Sequence, residues 1–122
     1  MHVLLGVAGG EESTIALRRT IERTRAAGDD LTVAIIEKPT DDPTPSEIRD
    51  RVDTALSAAD LDAEVRILEG EPASALVDFA EAGEFDQLVI GGGTVSPLGK
   101  INLGRITEFV LLNAPMTVTL VR

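Results

Sequence analysis

The stretch that decides the fold spans residues 88–107 and reads LVIGGGTVSPLGKINLGRIT. A short apolar run breaks at three consecutive glycines, and a periodic, helix-like pattern restarts at Gly104. Glycine lets backbone N–H groups approach a ligand closely, and a helix N-terminus adds unpaired donors and a partial positive charge. A strand, a glycine loop and a helix in this order can therefore cradle a phosphate. Packing is an alternative reason for the glycines, because loops after parallel strands are often glycine-rich.

The rest of the chain repeats the same alternation of strand and helix. The continuous apolar run at 3–8 is typical of a strand that is covered on both faces, and we predict further strands at 31–36, 63–68, 87–90 and 116–121, the last with alternating Thr and apolar residues. Apolar residues at three- and four-residue spacing between these runs predict helices. We therefore expect a single doubly wound α/β domain over residues 1–122. It contains a five-stranded, mostly parallel sheet of order 3-2-1-4-5 with two helices on each face.

Two glycine-rich loops meet at one point of this predicted sheet. Sheets of this kind bind ligands beyond the carboxyl ends of the strands, where the strand order reverses. In the order 3-2-1-4-5 that point lies between the first and fourth strands. Gly9 and Gly10 follow the first strand, and the glycines at 91–93 follow the fourth. The crevice between these loops is the predicted binding site.

The net charge of the chain limits the kinds of partner that it can bind. Asp and Glu number 21 against 11 Lys and Arg, which gives a net charge of −10. Such a surface repels nucleic acids and anionic membranes, so we expect neither as a partner. The acidic, lysine-poor and aromatic-poor composition favours a high-salt cytosol, as in a halophilic archaeon, where salt screens the repulsion. An ordinary acidic cytosolic protein is the alternative. Because no secretory signal precedes the first strand, we expect a cytoplasmic location.

No catalytic or metal-binding constellation is evident. The chain has no cysteine and one histidine, His2, so neither a metal site nor a histidine-assisted nucleophile is predicted. The 88–107 stretch is not a P-loop, because Ile101 follows Gly99 and Lys100 where a P-loop has Ser or Thr. We therefore expect a non-enzyme. Weak ATP hydrolysis stays open, although the sequence offers no base for it.

The chain resembles the universal stress protein family over nearly its whole length. The stretches that carry the resemblance are VLLGVAGGEES at the start, DQLVIGGGTVSPLGKINLGRITEFVLLNAP, and the closing MTVTLVR. The resemblance implies a five-stranded α/β fold of the order given above and a homodimer that often pairs through the last strand. One branch of the family binds ATP through a Gly-x2-Gly-x9-Gly-Ser/Thr motif. Another branch lacks that motif and is not expected to bind ATP.

The ATP motif is only partly present in this chain. The matching positions are Gly91, Gly104 and Thr107. Thr94 replaces the second glycine and does not readily adopt a positive φ, although Gly92 or Gly93 can shift the loop. Arg105 replaces the Ser or Thr; it is bulkier, but its guanidinium suits phosphate. Ala8 replaces an aspartate that the family commonly carries after the first strand, which removes an acceptor for a sugar or base.

Two interpretations of this site remain open. In the first, ATP, with Mg²⁺ if bound, or another anion occupies the crevice, with the base near Ala8 and Ile35. In the second, Lys100 and Arg105 are solvated or pair with acids such as Glu108, and the protein is a nucleotide-free scaffold. Ser96 is either a phosphate donor or a turn residue. The full predicted site comprises Ala8, Ile35, Gly91, Gly92, Gly93, Thr94, Ser96, Lys100, Gly104, Arg105, Ile106 and Thr107.

The final strand predicts how the protein assembles. It should lie at an edge of the sheet, and an unpaired edge invites pairing with another chain. We therefore expect a homodimer through this edge, together with a protein partner that the sequence does not identify. The predicted interface comprises Met116, Thr117, Val118, Thr119, Leu120 and Val121.

Overall fold

A computed structural model of the chain describes residues 1–8, 11–36, 44–91, 94–95, 101–102 and 104–121. Its elements alternate between strand and helix up to residue 91, as the sequence predicts. In chain order they are β1 (His2–Val7), α1 (Glu11–Ala27), β2 (Asp30–Ile36), α2 (Pro45–Ala58), β3 (Glu64–Leu68), α3 (Pro72–Ala82), β4 (Gln87–Gly91), β5 (Thr94–Val95), β6 (Ile101–Asn102), α4 (Arg105–Asn113) and β7 (Thr117–Val121).

The main sheet has five parallel strands in the order β3-β2-β1-β4-β7. Because β7 is the fifth strand of this sheet, the predicted order 3-2-1-4-5 is confirmed. The register places Leu4 of β1 opposite Leu88 of β4, and Gly91 of β4 opposite Val121 of β7. The strand order reverses between β1 and β4, which is where the sequence places the ligand crevice.

The core consists of two layers, one on each face of the sheet. Successive side chains of a strand point to opposite faces, so Leu5 joins one layer and Leu4 the other. The first layer packs α1 and α2 on the sheet, with Ile21 and Val52 buried in it. The second packs α3 and α4, with Leu76 and Val110 buried there. Two helices therefore cover each face, as predicted.

Side chains fix where the helices start. At α2 the hydroxyl of Thr44 accepts a hydrogen bond of 3.2 Å from the N–H of Glu47, and Pro45 occupies the first helical position. At α3 a carboxylate oxygen of Glu71 accepts from the N–H of Ser74 at 2.7 Å. These side chains satisfy donors that a helix end leaves unpaired. The Thr44 capping box is therefore the local signal that ends the long β2–α2 connection.

The structure adds one element that the sequence interpretation lacks. Between β4 and α4, β5 and β6 pair antiparallel as a separate two-stranded sheet. Within the described ranges, no helix is long and apolar enough to cross a membrane.

Candidate functional site

The carboxyl ends of β1 and β4 lie side by side at one edge of the sheet. Gly6 of β1 is opposite Ile90 of β4, so the next residues, Val7 and Gly91, end their strands together. Ala8 follows β1 directly and is half-buried. The structure thus brings together Ala8 and Gly91, two of the predicted site residues, at the point where the strand order reverses.

A buried hydroxyl closes the connection between β1 and α1. The N–H of Ala8 donates a hydrogen bond of 3.1 Å to Oγ of Ser13, in the first turn of α1. Ser13 is buried, and its bond spans residues 9–10 of the glycine loop. Sequence reasoning treated Ser13 as part of a helix start and gave it no role at the site. The sequence feature that could have indicated this hydrogen bond is a serine in the first turn of a helix, shortly after a glycine pair. From such a position serine commonly forms a hydrogen bond with a nearby backbone group.

The β5–β6 ladder folds back the chain between the crevice and α4. Thr94 lies opposite Asn102, and Val95 lies opposite Ile101. The sequence held a signal for this ladder, because β-branched and apolar residues flank a proline- and glycine-containing turn. The predictions for Gly92, Gly93, Ser96 and Lys100 fall outside the described residues.

Thr94 does not reproduce the backbone of the motif glycine that it replaces. It lies in β5, and the non-glycine residues with positive φ in the described part of the chain are Asp60 and Glu84. A glycine at position 94 would have access to that region, whereas threonine stays extended here.

The N-terminus of α4 is open. Gly104 is the N-cap residue, with φ −70° and ψ 165°, and as a glycine it has no side chain with which to cap the helix. A Cβ atom placed on Gly104 would have no heavy-atom neighbour within 4 Å. The first-turn N–H groups of α4 therefore carry their partial positive charge without a capping side chain. This arrangement suits an anion.

The side chains of the first turn of α4 differ in accessibility. Arg105 is exposed and lines a groove of about 410 Å³ between α3 and α4, together with Glu71 and Glu108. The described residues place no carboxylate within ion-pair distance of Arg105. Ile106 is half-buried, and Thr107 is only 6% exposed. A ligand here would meet backbone N–H groups and Arg105 more readily than the hydroxyl of Thr107.

Ile35 lies deeper than the site interpretation assumed. It sits in β2 between Val7 of β1 and Ile67 of β3, and its side chain is completely buried in the core. It therefore presents no surface to a ligand in this conformation. At the same edge of the sheet, Ala8 remains partly accessible.

The family model that matches the chain is that of the universal stress protein family, over residues 1–122. The chain belongs to the universal stress protein family. Solved structures agree with its fold. The universal stress protein from Archaeoglobus fulgidus is 23% identical with a TM-score of 0.80, and the match covers 100% of this chain and 98% of that one. No curated protein matches the chain by sequence.

Two further universal stress protein structures carry nucleotides. A universal stress protein in complex with cAMP is 27% identical with a TM-score of 0.76, and the match covers 100% of this chain and 96% of that one. The Archaeoglobus fulgidus protein in complex with dAMP is 21% identical with a TM-score of 0.73, with 100% and 98% coverage. The identities show that a universal stress protein fold persists in chains that share about a quarter of their residues.

Proposed function

We propose that this universal stress protein is a cytoplasmic stress-response binding module that takes an adenine nucleotide in the crevice between β1 and β4. The observation that supports the proposal is the N-terminus of α4 at Gly104, an N-cap without a side chain that follows in the chain after β4, one of the two strands between which the strand order reverses. Universal stress proteins of the same fold carry cAMP, dAMP and AMP. An enzymatic activity is not part of the proposal.

The phosphate end of the nucleotide is the part that the described residues serve best. The first-turn N–H groups of α4 supply donors, and the guanidinium of Arg105 adds a cation close by. Glu71 and Glu108 lie in the groove that Arg105 lines and lower the positive potential there. Mg²⁺ would accompany a triphosphate, because it binds phosphate oxygens while keeping several waters.

The base and the sugar of the nucleotide would have fewer polar partners than its phosphates. Ala8 offers no carboxylate, and Ile35 is buried in the core. Each missing hydrogen bond costs on the order of 1 kcal/mol of binding, or about fivefold in Kd. We therefore propose binding that is weaker than a complete motif would give, with the phosphates as the main determinant.

Calorimetric titration with Mg-ATP and with AMP, in molar KCl, tests this function. Gly104→Val should abolish binding, because the side chain would fill the open space in front of the α4 N–H groups. The substitution needs no positive φ and meets no neighbour, so the fold should persist. Ala58→Val is the control, since Ala58 is exposed at the far end of α2. No heat from the unmodified protein, or equal affinity in both variants, would refute the placement.

Arg105→Ser distinguishes two roles of the arginine. It restores the short hydroxyl of the ATP motif and removes a cation from the helix terminus. If Arg105 binds phosphate, the variant should lose about tenfold in affinity for ATP. A gain in affinity would show that the arginine obstructs the site.

A nucleotide-free homodimeric scaffold is the second candidate, and the edge position of β7 favours it. β7 is hydrogen-bonded to β4 alone in the sheet, and all of its residues except the exposed Thr117 are half-buried. Pairing with β7 of a second copy would continue the sheet and bury Val118 and Leu120 further. A protein partner would have a separate surface on α4, where Phe109 and Leu112 are 37% and 77% exposed.

Sedimentation velocity over a range of concentrations tests the dimer. Thr117→Lys should shift the equilibrium toward the monomer, because lysine on an edge strand opposes pairing with another strand. Thr54→Lys, on the exposed face of α2, is the matched control. A monomer at all concentrations, or equal dimerisation of both variants, would exclude β7 as the interface. A dimer that gives no heat with nucleotide would support the scaffold.

A further inference from the structure

A cleft separates α1 from β7 on the face of the sheet that carries α1 and α2. It has a volume of about 590 Å³. It arises because α1 packs mainly on β1 and β4, and α2 packs on β2 and β3, so the edge strand β7, which is also the predicted homodimer edge, is incompletely covered in the single chain. Small-molecule sites typically enclose about 300–1,000 Å³. The cleft is therefore large enough for a small organic ligand.

This cleft is separate from the crevice at Gly104. Val3 and Gln87 line it, and they stand at the amino ends of β1 and β4. The crevice lies at the carboxyl ends of the same two strands. Val121, at the carboxyl end of β7, also lines the cleft, whereas Gly104 does not, so the two sites differ in their lining and the inference goes beyond the proposed function.

The floor of the cleft is polar although it is nearly buried. Gln87 is 8% exposed, and its side-chain nitrogen donates a hydrogen bond to the hydroxyl of Thr119 on β7. A hydroxyl that accepts in this way can still donate its own hydrogen. Thr20 and Thr24 of α1 are also buried and face the same space. The floor thus carries a donor that can reach a ligand group.

The rim of the cleft carries two cations one helical turn apart. Arg19 and Arg23 both line it, and their i,i+4 spacing places them on one side of α1. Within the described ranges, neither guanidinium lies within 4.0 Å of a carboxylate; the ion pairs there are Met1–Asp29 and Glu64–Arg66. Two arginines without a carboxylate partner among the described residues, beside one cleft, make a local anion-attracting site on a protein of net charge −10.

The acidic group in this cleft is already compensated. Asp29 lines it, but its carboxylate oxygen is 3.3 Å from the N-terminal ammonium of Met1. The charges of Asp29 and the ammonium offset each other. The positive charge of Arg19 and Arg23 therefore remains for a ligand.

The remaining wall of the cleft is apolar, and it indicates the chemical class of the ligand. Val3, Val89 and Val121 come from three neighbouring strands and face the cleft. Hydrocarbon contacts beside a pair of guanidinium groups match an amphiphilic anion. We propose that the cleft binds a small organic carboxylate with an aliphatic body. Its carboxylate lies on Arg19 and Arg23, and its chain lies against Val89 and Val121.

The probe is decanoate, kept below its critical micelle concentration. Decanol, which has the same chain length but no charge, is the control ligand. Calorimetry should show one decanoate per chain and at least about tenfold weaker binding of decanol, since decanol lacks the charge-assisted hydrogen bonds. Methyl NMR should show the largest shifts at Val89 and Val121. No binding, equal affinity for decanol, or shifts centred on Leu112 would overturn the proposal.

Two double variants distinguish decanoate binding in the cleft from non-specific electrostatic attraction to the protein. Arg19→Gln/Arg23→Gln should weaken decanoate binding by about tenfold or more. Arg18→Gln/Arg25→Gln removes the same charge from the same helix, at exposed positions that do not line the cleft. It should change the affinity by less than about twofold, since exposed charges act weakly at a distance in salt. Equal losses in the two pairs would overturn the assignment.

Two further variants complete the test. Should the first pair fail to fold, Arg23→Lys keeps the charge and removes the planar fork, and it should still weaken decanoate binding. Unchanged affinity in Arg23→Lys would argue against bidentate recognition and count against the site. Gly104→Val should leave decanoate binding unaltered, because Gly104 is outside the cleft. A loss in Gly104→Val would show that decanoate occupies the nucleotide crevice instead.

Discussion

The N–H of Ala8 at the end of β1 donates a hydrogen bond of 3.1 Å to Ser13 Oγ in α1. This bond joins the strand and the helix that flank one side of the ligand crevice. It links residues five positions apart in the chain, one at the end of β1 and one in the first turn of α1. The stability of the loop and the shape of the crevice should therefore depend on one hydroxyl.

Ser13→Ala should lower the free energy of unfolding by about 1 kcal/mol, because the Ala8 N–H loses its acceptor in a half-buried position. The chain has neither Trp nor Tyr, so urea unfolding followed by far-UV circular dichroism is the suitable measurement. Ser57→Ala is the control, since Ser57 is exposed on α2, and its effect should stay within about 0.5 kcal/mol. Equal effects of the two substitutions would contradict a structural role for the Ser13 bond.

Gly6→Ala should destabilise the protein by about 1–3 kcal/mol, because the added methyl overpacks the core. A Cβ on Gly6 would lie 2.8 Å from Cδ2 of Leu76, and Leu76 is fully buried. Gly104→Ala adds the same methyl in open space and should cost less than about 1 kcal/mol, measured by urea unfolding.

A double-mutant cycle identifies the partner in this clash. Leu76→Val shortens the side chain that meets the new methyl, so Gly6→Ala should cost less in that background than in the unmodified chain. Additive effects of the two substitutions would mean that Leu76 is not the residue that limits the space above Gly6.

The carboxyl of Glu71 should make α3 sensitive to acid. The backbone N–H of Ser74 donates to this carboxylate and lowers the pKa of Glu71 below its ordinary value. A folded-state pKa below the unfolded one stabilises the fold above the unfolded pKa, and this contribution is lost as pH falls through the folded pKa. Carbon NMR of the Glu71 carboxyl should show a titration below the ordinary glutamate range, and the Ser74 amide should follow the same curve.

Removal of the Glu71 charge provides the complementary test. Glu71→Gln should flatten the acid side of the stability profile, because the titrating cap is gone while a side-chain oxygen can still accept from Ser74. A Glu71 titration at or above the ordinary range, or an unchanged acid slope in Glu71→Gln, would contradict the capping role.

Salt should separate the halophilic interpretation from that of an ordinary acidic protein. The net charge of −10 repels itself, and added salt shortens the range of that repulsion. For a halophilic protein, the thermal midpoint should rise steeply from dilute to molar KCl, with unfolding at the dilute end. An ordinary acidic protein should stay folded throughout with a modest rise. Sucrose at the same concentrations controls for effects of solute exclusion.

The sequence was sufficient for the architecture because each element carries its own pattern. Residues 3–8 and 88–90 are continuously apolar, which is typical of strands covered on both faces, and both became inner strands of the sheet. The sequence Thr44-Pro45-Ser46-Glu47 is typical of a helix start, and α2 begins there, with the N–H of Glu47 donating to the hydroxyl of Thr44. The reversal of strand order between β1 and β4 followed as well, and the ligand crevice predicted there stays a prediction.

The site was less accessible to sequence reasoning because it depends on burial and on contacts across the chain. Ile35 was expected near a base, and the structure buries it between β1 and β3. Thr107 matches the family motif, but its side chain is almost fully enclosed in α4 packing. Ser13 was not assigned to the site, although it bonds to Ala8. A linear motif gives the order of such residues and leaves the direction of each side chain undefined.

Periodicity and composition, which are local properties, were enough to specify the alternating strands and helices and the parallel strand order. The cleft beside β7 has no such signature, because Arg19 and Gln87 meet only when α1 packs on the sheet. The exposure of Arg105 and the burial of Thr107 in the first turn of α4 likewise depend on how that helix packs. Cavities and accessible donors are the spaces left between packed elements, and their shape depends on tertiary contacts that no single stretch of sequence contains.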